Sequence, residues 1–333
     1  MTVKLAINGF GRIGRCVLRA WIESGRKDVE IVAINDLAPV ATNAHLLQFD
    51  SVHGHFNAEV TLGEDHIVVN GHRIRVTAER DPAKLPWAGV DVALECTGIF
   101  TAREKAEAHL ANGSARVLVS APASGADKTI VFGVNHDTLT AADLIVSNGS
   151  CTTNCLAPVA KVLDDAFGIV SGYMTTIHSY TGDQPTLDTA HKDLYRARAA
   201  ALSMIPTSTG AAKAIGLVLP NLKGKLDGSA IRVPTPNVSA VDLCFLAERP
   251  ITAEAVNDAI AKAAAGPLKG ILALSDLPLV SSDFNHNPHS SVFASAQTSV
   301  GEAGLTRILA WYDNEWGFSN RMLDTAGAMA AAG

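Results

Sequence analysis

Over the first half of the chain apolar residues gather in short runs, at 3–7, 30–35, 90–96, 116–120 and 144–147, each followed by turn-forming residues. Between the first two runs, residues 12–23 place apolar positions at helical spacing and stop near Gly25. Such alternation predicts parallel strands joined by crossover helices: an α/β, doubly wound sheet that binds ligands at the carboxyl ends of its strands.

The second half has a different rhythm. Segments 172–180, 230–233, 238–247, 291–299 and 306–312 alternate and carry β-branched and aromatic residues, with an amphipathic helix predicted at 252–265 between them. This reads as an α+β domain with a mixed or antiparallel sheet. A helix is predicted at 156–167 and an Ala-rich one at 322–332. Residues 181–210 read as a long polar loop, a length that usually signals function. With 333 residues the chain is long enough for two domains. The expected boundaries are 1–150 for cofactor binding, 151–316 for catalysis, and 317–333 as a C-terminal helix packing back on the first domain.

A hydrophobic share of 47% supplies sizeable cores, and a net charge of −6 gives no footprint for nucleic acid or an anionic membrane. A small anionic substrate stays admissible if arginines converge locally. The five cysteines are odd in number and scattered, which argues against a disulfide framework. With no signal peptide and no apolar stretch of bilayer length, a cytoplasmic protein is expected.

Two motifs carry chemistry. Gly9-Phe10-Gly11-Arg12-Ile13-Gly14 follows a strand and opens a helix, with an acid at Asp36 about 20 residues on. In this Rossmann-type fingerprint Gly9 makes the turn, Gly11 lets backbone approach a pyrophosphate, and Gly14 lets the helix pack on the strand. Asp36 would accept from the adenine ribose and repel a 2′-phosphate. The second motif is Ser150-Cys151-Thr152-Thr153-Asn154-Cys155, at a strand-to-helix junction. Unpaired N–H groups there favour thiolate at Cys151, the nucleophilic form. His178, ending a strand, is either its acid–base partner or a satisfied core histidine. Cys155, one helical turn on, reads as core filler, resolving thiol or metal ligand. No nearby cluster completes a zinc site, so no metal is expected. A reactive thiol beside a nicotinamide cofactor points to aldehyde oxidation through a thioester.

The Ser150–Cys155 motif resembles the signature of phosphorylating glyceraldehyde-3-phosphate dehydrogenases, of the bacterial and organellar tetrameric type. The resemblance runs the whole length, through Asn8-Gly9-Phe10-Gly11-Arg12-Ile13-Gly14-Arg15, His178-Ser179-Tyr180-Thr181-Gly182-Asp183-Gln184, Thr207-Ser208-Thr209-Gly210-Ala211-Ala212-Lys213, Arg232-Val233-Pro234-Thr235-Pro236-Asn237 and Trp311-Tyr312-Asp313-Asn314-Glu315-Trp316-Gly317. It implies NAD, D-glyceraldehyde 3-phosphate and inorganic phosphate, and a homotetramer. Cys151 would attack the aldehyde and His178 would move protons. Thr181, Asp183 and Arg232 match the substrate-phosphate site. Ser150, Thr152, Arg198, Thr209 and Gly210 match the attacking-phosphate site. Asn8, Arg12, Ile13, Asp36, Arg80, Ser120 and Asn314 match cofactor positions, Asn314 at the nicotinamide amide. Two departures stand out. Gly149 replaces a more usual alanine, and Thr189-Ala190 stands where strictly NAD-preferring members often carry Leu-Pro, which implies some NADP use. The neighbouring readings are an erythrose-4-phosphate dehydrogenase and, outside enzymes, an NAD-binding thiol redox sensor.

Overall fold

The computed structural model describes residues 2–332. The chain divides into two compact units: residues up to Ser150 together with those from Ser319 onward, and Cys151–Phe318.

In the first unit a nine-stranded sheet runs in the spatial order Lys128–Thr129, Ile145–Ser147, Arg116–Val119, Val92–Glu95, Val3–Asn8, Val29–Asn35, His72–Thr77, His66–Val69 and Val60–Leu62. The strands are parallel as far as His72–Thr77; the last two pair antiparallel. Val3–Asn8 lies between the strand that follows it and one that arrives much later in the chain. The winding direction reverses there, which opens a crevice at the carboxyl edge. The helix Arg12–Ser24 makes the first crossover; Cys16, Val17, Leu18 and Trp21 lie on its buried side, and it ends at Gly25 in the left-handed region (φ 62°). The antiparallel edge and the helix Val40–Gln48 were not anticipated.

The second unit holds a mixed sheet in the order Ile205–Ser208, Leu226–Val233, Ile169–Ser179, Ser239–Ala247, Leu305–Tyr312, Ser291–Ala294 and Leu272–Ser275, with Ser299–Val300 added on Leu305–Tyr312. Ile169–Ser179 pairs parallel with Leu226–Val233 and antiparallel with Ser239–Ala247. Along Ile169–Ser179 the pleat buries Met174, Thr176 and His178 and exposes Tyr173 and Ile177. The helix Cys151–Phe167 packs on this sheet and buries Cys155, Leu156, Val159, Ala160 and Leu163.

Several expected bounds shift. The helix predicted at 156–167 begins at Cys151, so the nucleophile motif forms its first turn. The two β-branched threonines in that turn hid it from a propensity reading. The strand expected at 291–299 is broken by a 3₁₀ turn at Ser295–Gln297. Residues 205–208 of the expected loop form an edge strand, and the helix predicted from 322 starts at Trp316.

Candidate active site

The cofactor crevice belongs to the first unit. A cleft of about 500 Å³ is lined by Asn8, Gly9, Gly11, Asp36 and Arg80 from the expected set, with Leu37, Cys96, Thr97, Ile99 and Phe100 besides. Gly9 has φ 91°, and a Cβ there would meet the Thr97 backbone nitrogen at 2.7 Å. A Cβ on Gly14 would lie 2.3 Å from the Gly9 carbonyl oxygen, so the helix seats against the turn only without a side chain. Gly11 faces open space, and no side chain caps the helix that follows it. That cradle leaves first-turn N–H donors for a pyrophosphate. The Phe10 N–H donates to Asp36 Oδ2 at 2.9 Å, tying the glycine loop to the acid at the end of the second strand. The donor set fits a dinucleotide.

Arg12 donates to Asp50 through both terminal nitrogens, one at 3.1 Å, and this pairing holds the Asp50 carboxyl well below its ordinary value against the opposing cost of burial. Ile13 lies in the first turn of the same helix. The Ser120 N–H donates to the Glu95 carbonyl at 2.9 Å, at the carboxyl edge of the sheet. Beneath the crevice lies a buried polar row of which sequence reading named only Asn8. Asn8, Asn35 and Glu95 are register partners on three adjacent strands. Asn35 donates to Asn8 Oδ1 at 2.8 Å, and Asn8 donates to Glu95 Oε2 at 2.7 Å. Glu95 also accepts from the Thr97 N–H and pairs with His109. Three polar residues, each at the end of an apolar run, were the available signal.

In the second unit Cys151 Sγ lies 3.5 Å from His178 Nε2. His178 Nδ1 is 2.7 Å from the Ser179 carbonyl oxygen, which only accepts, so Nδ1 carries the proton and Nε2 faces the thiol as a base. Arg232 Nη1 approaches Nδ1 at 3.2 Å, but its donated bonds go to that same carbonyl at 3.0 Å and to Thr181 Oγ1 at 2.9 Å. Burial is the largest influence on both partners. It pushes His178 down to about 3, and the Arg232 cation adds to the effect. It also raises the Cys151 thiol, opposed by Arg232 and the Thr152 N–H. Burial thus opposes the thiolate that the helix terminus and Arg232 favour. Either charge by itself is penalised, and the penalties are relieved together when the thiol proton passes to Nε2.

Supports surround this pair. Tyr312 Oη sits 2.9 Å from both Thr152 Oγ1 and Thr176 Oγ1, and its ring packs edge-on to His178. Gly149, just before the nucleophile motif, has φ 65°, a conformation that an alanine would strain. Cys155 is buried against Ser291 Oγ and the Ala310 carbonyl, and burial pushes its thiol up to about 12. It is core filler, and all five cysteines are free.

An anion cluster adjoins the histidine. Arg232 and His178 are register partners on parallel strands. Thr181 donates to Asp183, and Asp183 accepts from Arg196 Nη1 at 2.8 Å. Burial opposes ionisation of Asp183, yet Thr181, Arg232 and Arg196 hold its carboxyl below the ordinary value. Arg232 Nε is buried with no partner among the described residues, a donor left for an anion. Thr209 and Gly210 stand at the start of the helix Ala211–Val218, where Thr209 Oγ1 accepts from the Ala211 N–H at 3.2 Å. Arg198 is a correction: it is exposed and paired with Asp188 at 2.7 Å, outside the cluster. Arg196 takes its place and also donates from Nε to Thr207 Oγ1 at 3.0 Å. The signal was present in Arg196-Ala197-Arg198, but the sequence does not say which of two arginines two apart turns inward. Ser150 directly precedes the helix that Cys151 opens, and Asn314 is buried beyond the strand Leu305–Tyr312.

A dinucleotide-binding sheet, and a thiol facing an imidazole beside clustered arginines, fit an NAD-dependent oxidoreductase. The comparisons narrow this. Residues 3–103 match the profile of the glyceraldehyde 3-phosphate dehydrogenase NAD binding domain, and residues 150–314 that of the C-terminal domain. The chain is 73% identical over 329 residues to a protein named glyceraldehyde-3-phosphate dehydrogenase from Cereibacter sphaeroides, covering 99% of each. It is 69% identical to one of that name from Xanthobacter flavus and 60% to the chromosomal one of Cupriavidus necator, each over the full length of both chains. The chain belongs to the glyceraldehyde-3-phosphate dehydrogenase family.

Proposed function

We propose that this protein converts D-glyceraldehyde 3-phosphate and inorganic phosphate to the 1,3-bisphosphate with NAD, through a thioester on Cys151. The observation that carries the reading is the orientation of His178, with Nδ1 tied to a carbonyl and Nε2 turned to the sulfur. Cys151 Sγ attacks the aldehyde carbon while its proton passes to Nε2 and on to the new hydroxyl. His178 then takes the hydroxyl proton as hydride leaves carbon, and the thioester forms. NAD, when bound, supplies the acceptor for that hydride. Phosphate attacks the thioester carbonyl and Cys151 leaves as thiolate.

Arg232 and Thr181 bind the substrate phosphate, and Asp183 positions them. Ser150, Thr152, Thr209 and Gly210, with Arg196 in place of Arg198, bind the attacking phosphate. Asp36 and the loop from Asn8 to Gly14 hold the adenosine end, with Arg80 and Ser120; Asn314 holds the nicotinamide amide. The first unit thus carries the cofactor and the second the thiol chemistry. A homotetramer is supported by apolar side chains on one face of the second sheet, where Tyr173, Ile177, Leu246 and Leu305 are exposed. A reactive thiol and five free cysteines suit the reducing cytoplasm. Among the described residues no helix is long and apolar enough to cross a membrane.

The test is NADH formation by the purified protein with D-glyceraldehyde 3-phosphate and with erythrose 4-phosphate, each with and without phosphate. Fast, phosphate-dependent turnover of the triose is expected. Preference for the tetrose, or turnover indifferent to phosphate, contradicts the reading.

A further inference from the structure

Asn314 is buried, and two hydroxyls converge on its Oδ1: Ser179 Oγ at 2.9 Å and Ser239 Oγ at 2.9 Å. Ser239 Oγ accepts the Ser179 backbone N–H at 3.1 Å, which leaves its single proton for Asn314. Ser179 is buried too, and the alternative acceptor for its proton, Ser239 Oγ, is 3.5 Å away. An atom that receives two O–H donors is an amide oxygen. The amide nitrogen is therefore turned away from both serines, and no acceptor among the described residues takes it.

This matters because the terminal torsion of asparagine is broad and close to two-fold, so the side chain alone does not choose which end faces outward. The serines choose. Ser179 also reaches the catalytic pair, since its carbonyl accepts from His178 Nδ1 at 2.7 Å. One residue thus fixes the tautomer of the base and the orientation of the amide.

We infer that Ser179 and Ser239 are positioning residues that lock the Asn314 amide with its N–H donors outward, and so select the orientation of the nicotinamide carboxamide and the ring face that takes the hydride. The inference rests on the reading that Asn314 meets that carboxamide. A flipped asparagine would set its oxygen against the carboxamide oxygen and repel it.

ADP-ribose lacks the nicotinamide ring, which gives a readout independent of turnover. Calorimetric affinities for NAD and ADP-ribose are compared in the full-length wild type, the Ser179→Ala, Ser239→Ala double variant and Asn314→Ala. Loss of two neutral hydrogen bonds predicts NAD binding weakened by about 5-fold and at most about 150-fold in the double variant, with ADP-ribose unchanged. If Asn314→Ala weakens NAD selectively but the serine variant does not, the lock is wrong and the Asn314 reading stands. If Asn314→Ala leaves the ratio of the two affinities untouched, the Asn314 reading itself falls. If the serine variant weakens both ligands alike, the serines serve only the fold and the inference is overturned.

Discussion

His178 presents Nε2 to the Cys151 sulfur at 3.5 Å because its other nitrogen donates to the Ser179 carbonyl at 2.7 Å. Flipping the ring would lose that bond and turn a ring carbon, with no basic nitrogen, toward the sulfur. The base is thus set by a backbone carbonyl in the same strand, with no carboxylate needed to orient it. Replacing Cys151 by Ser keeps the shape but swaps in a group far harder to ionise. Phosphate-dependent NADH production should vanish while NAD affinity, measured by calorimetry, stays within about twofold, on the order of 0.4 kcal/mol.

His178→Asn should shift Cys151 alkylation to higher pH and slow turnover by roughly 10²–10⁴-fold, the usual worth of a general acid–base group. Iodoacetamide rates against pH report the first, steady-state kinetics the second. An unaltered alkylation profile would return His178 to the status of a core residue.

His178 also links stability to pH. Its value is about 3 when folded and 6.5 when free, so between these limits the unfolded chain binds a proton that the folded chain refuses. Stability therefore rises with pH across this window and is lost as pH falls through it. Thermal melts should show a shallower acid slope for His178→Asn than for wild type.

The two arginines of the polar loop should separate cleanly. Arg196 bonds Asp183 and Thr207, whereas Arg198 pairs with Asp188 in solvent. Arg196→Ala should cut kcat/KM by roughly 10- to 150-fold, as expected when a charged hydrogen bond worth about 1.5–3 kcal/mol is lost. Arg198→Ala should cost under about threefold, the scale of an exposed ion pair. Arg232→Ala should penalise the phosphorylated aldehyde far more than an unphosphorylated analogue. Equal loss for both aldehydes would make Arg232 structural.

Cofactor choice should follow Asp36, whose carboxylate caps the glycine loop through the Phe10 N–H. Asp36→Ala should raise the NADP-to-NAD ratio of kcat/KM by at least about tenfold, equivalent to about 1.4 kcal/mol. Thr189 and Ala190 are exposed and stand where strictly NAD-preferring members often carry Leu-Pro, so Thr189→Leu with Ala190→Pro should lower that ratio.

The parallel sheet was legible because its strands are buried on both faces and read as uninterrupted apolar runs. Gly9 and Gly14 were legible because backbone geometry dictates their residue type. The antiparallel edge was missed despite Asn70-Gly71, whose positive φ values of 47° and 83° mark a tight hairpin turn between two half-polar strands. The Arg196-for-Arg198 exchange and the Ser179–Ser239–Asn314 contact depend on side chains meeting across distant strands. No local period encodes that. The environment of the thiol was half legible for a related reason: the helix terminus is visible in sequence, but the burial that opposes it is not.

The central claim is a thioester on Cys151 resolved by phosphate. Rapid mixing of the NAD-loaded protein with D-glyceraldehyde 3-phosphate, first without phosphate and then with it, tests this most directly. The account predicts a burst of NADH equal to the number of Cys151 sites, then near arrest until phosphate is added, then steady turnover. No burst, or turnover that runs on at full rate without phosphate, contradicts it.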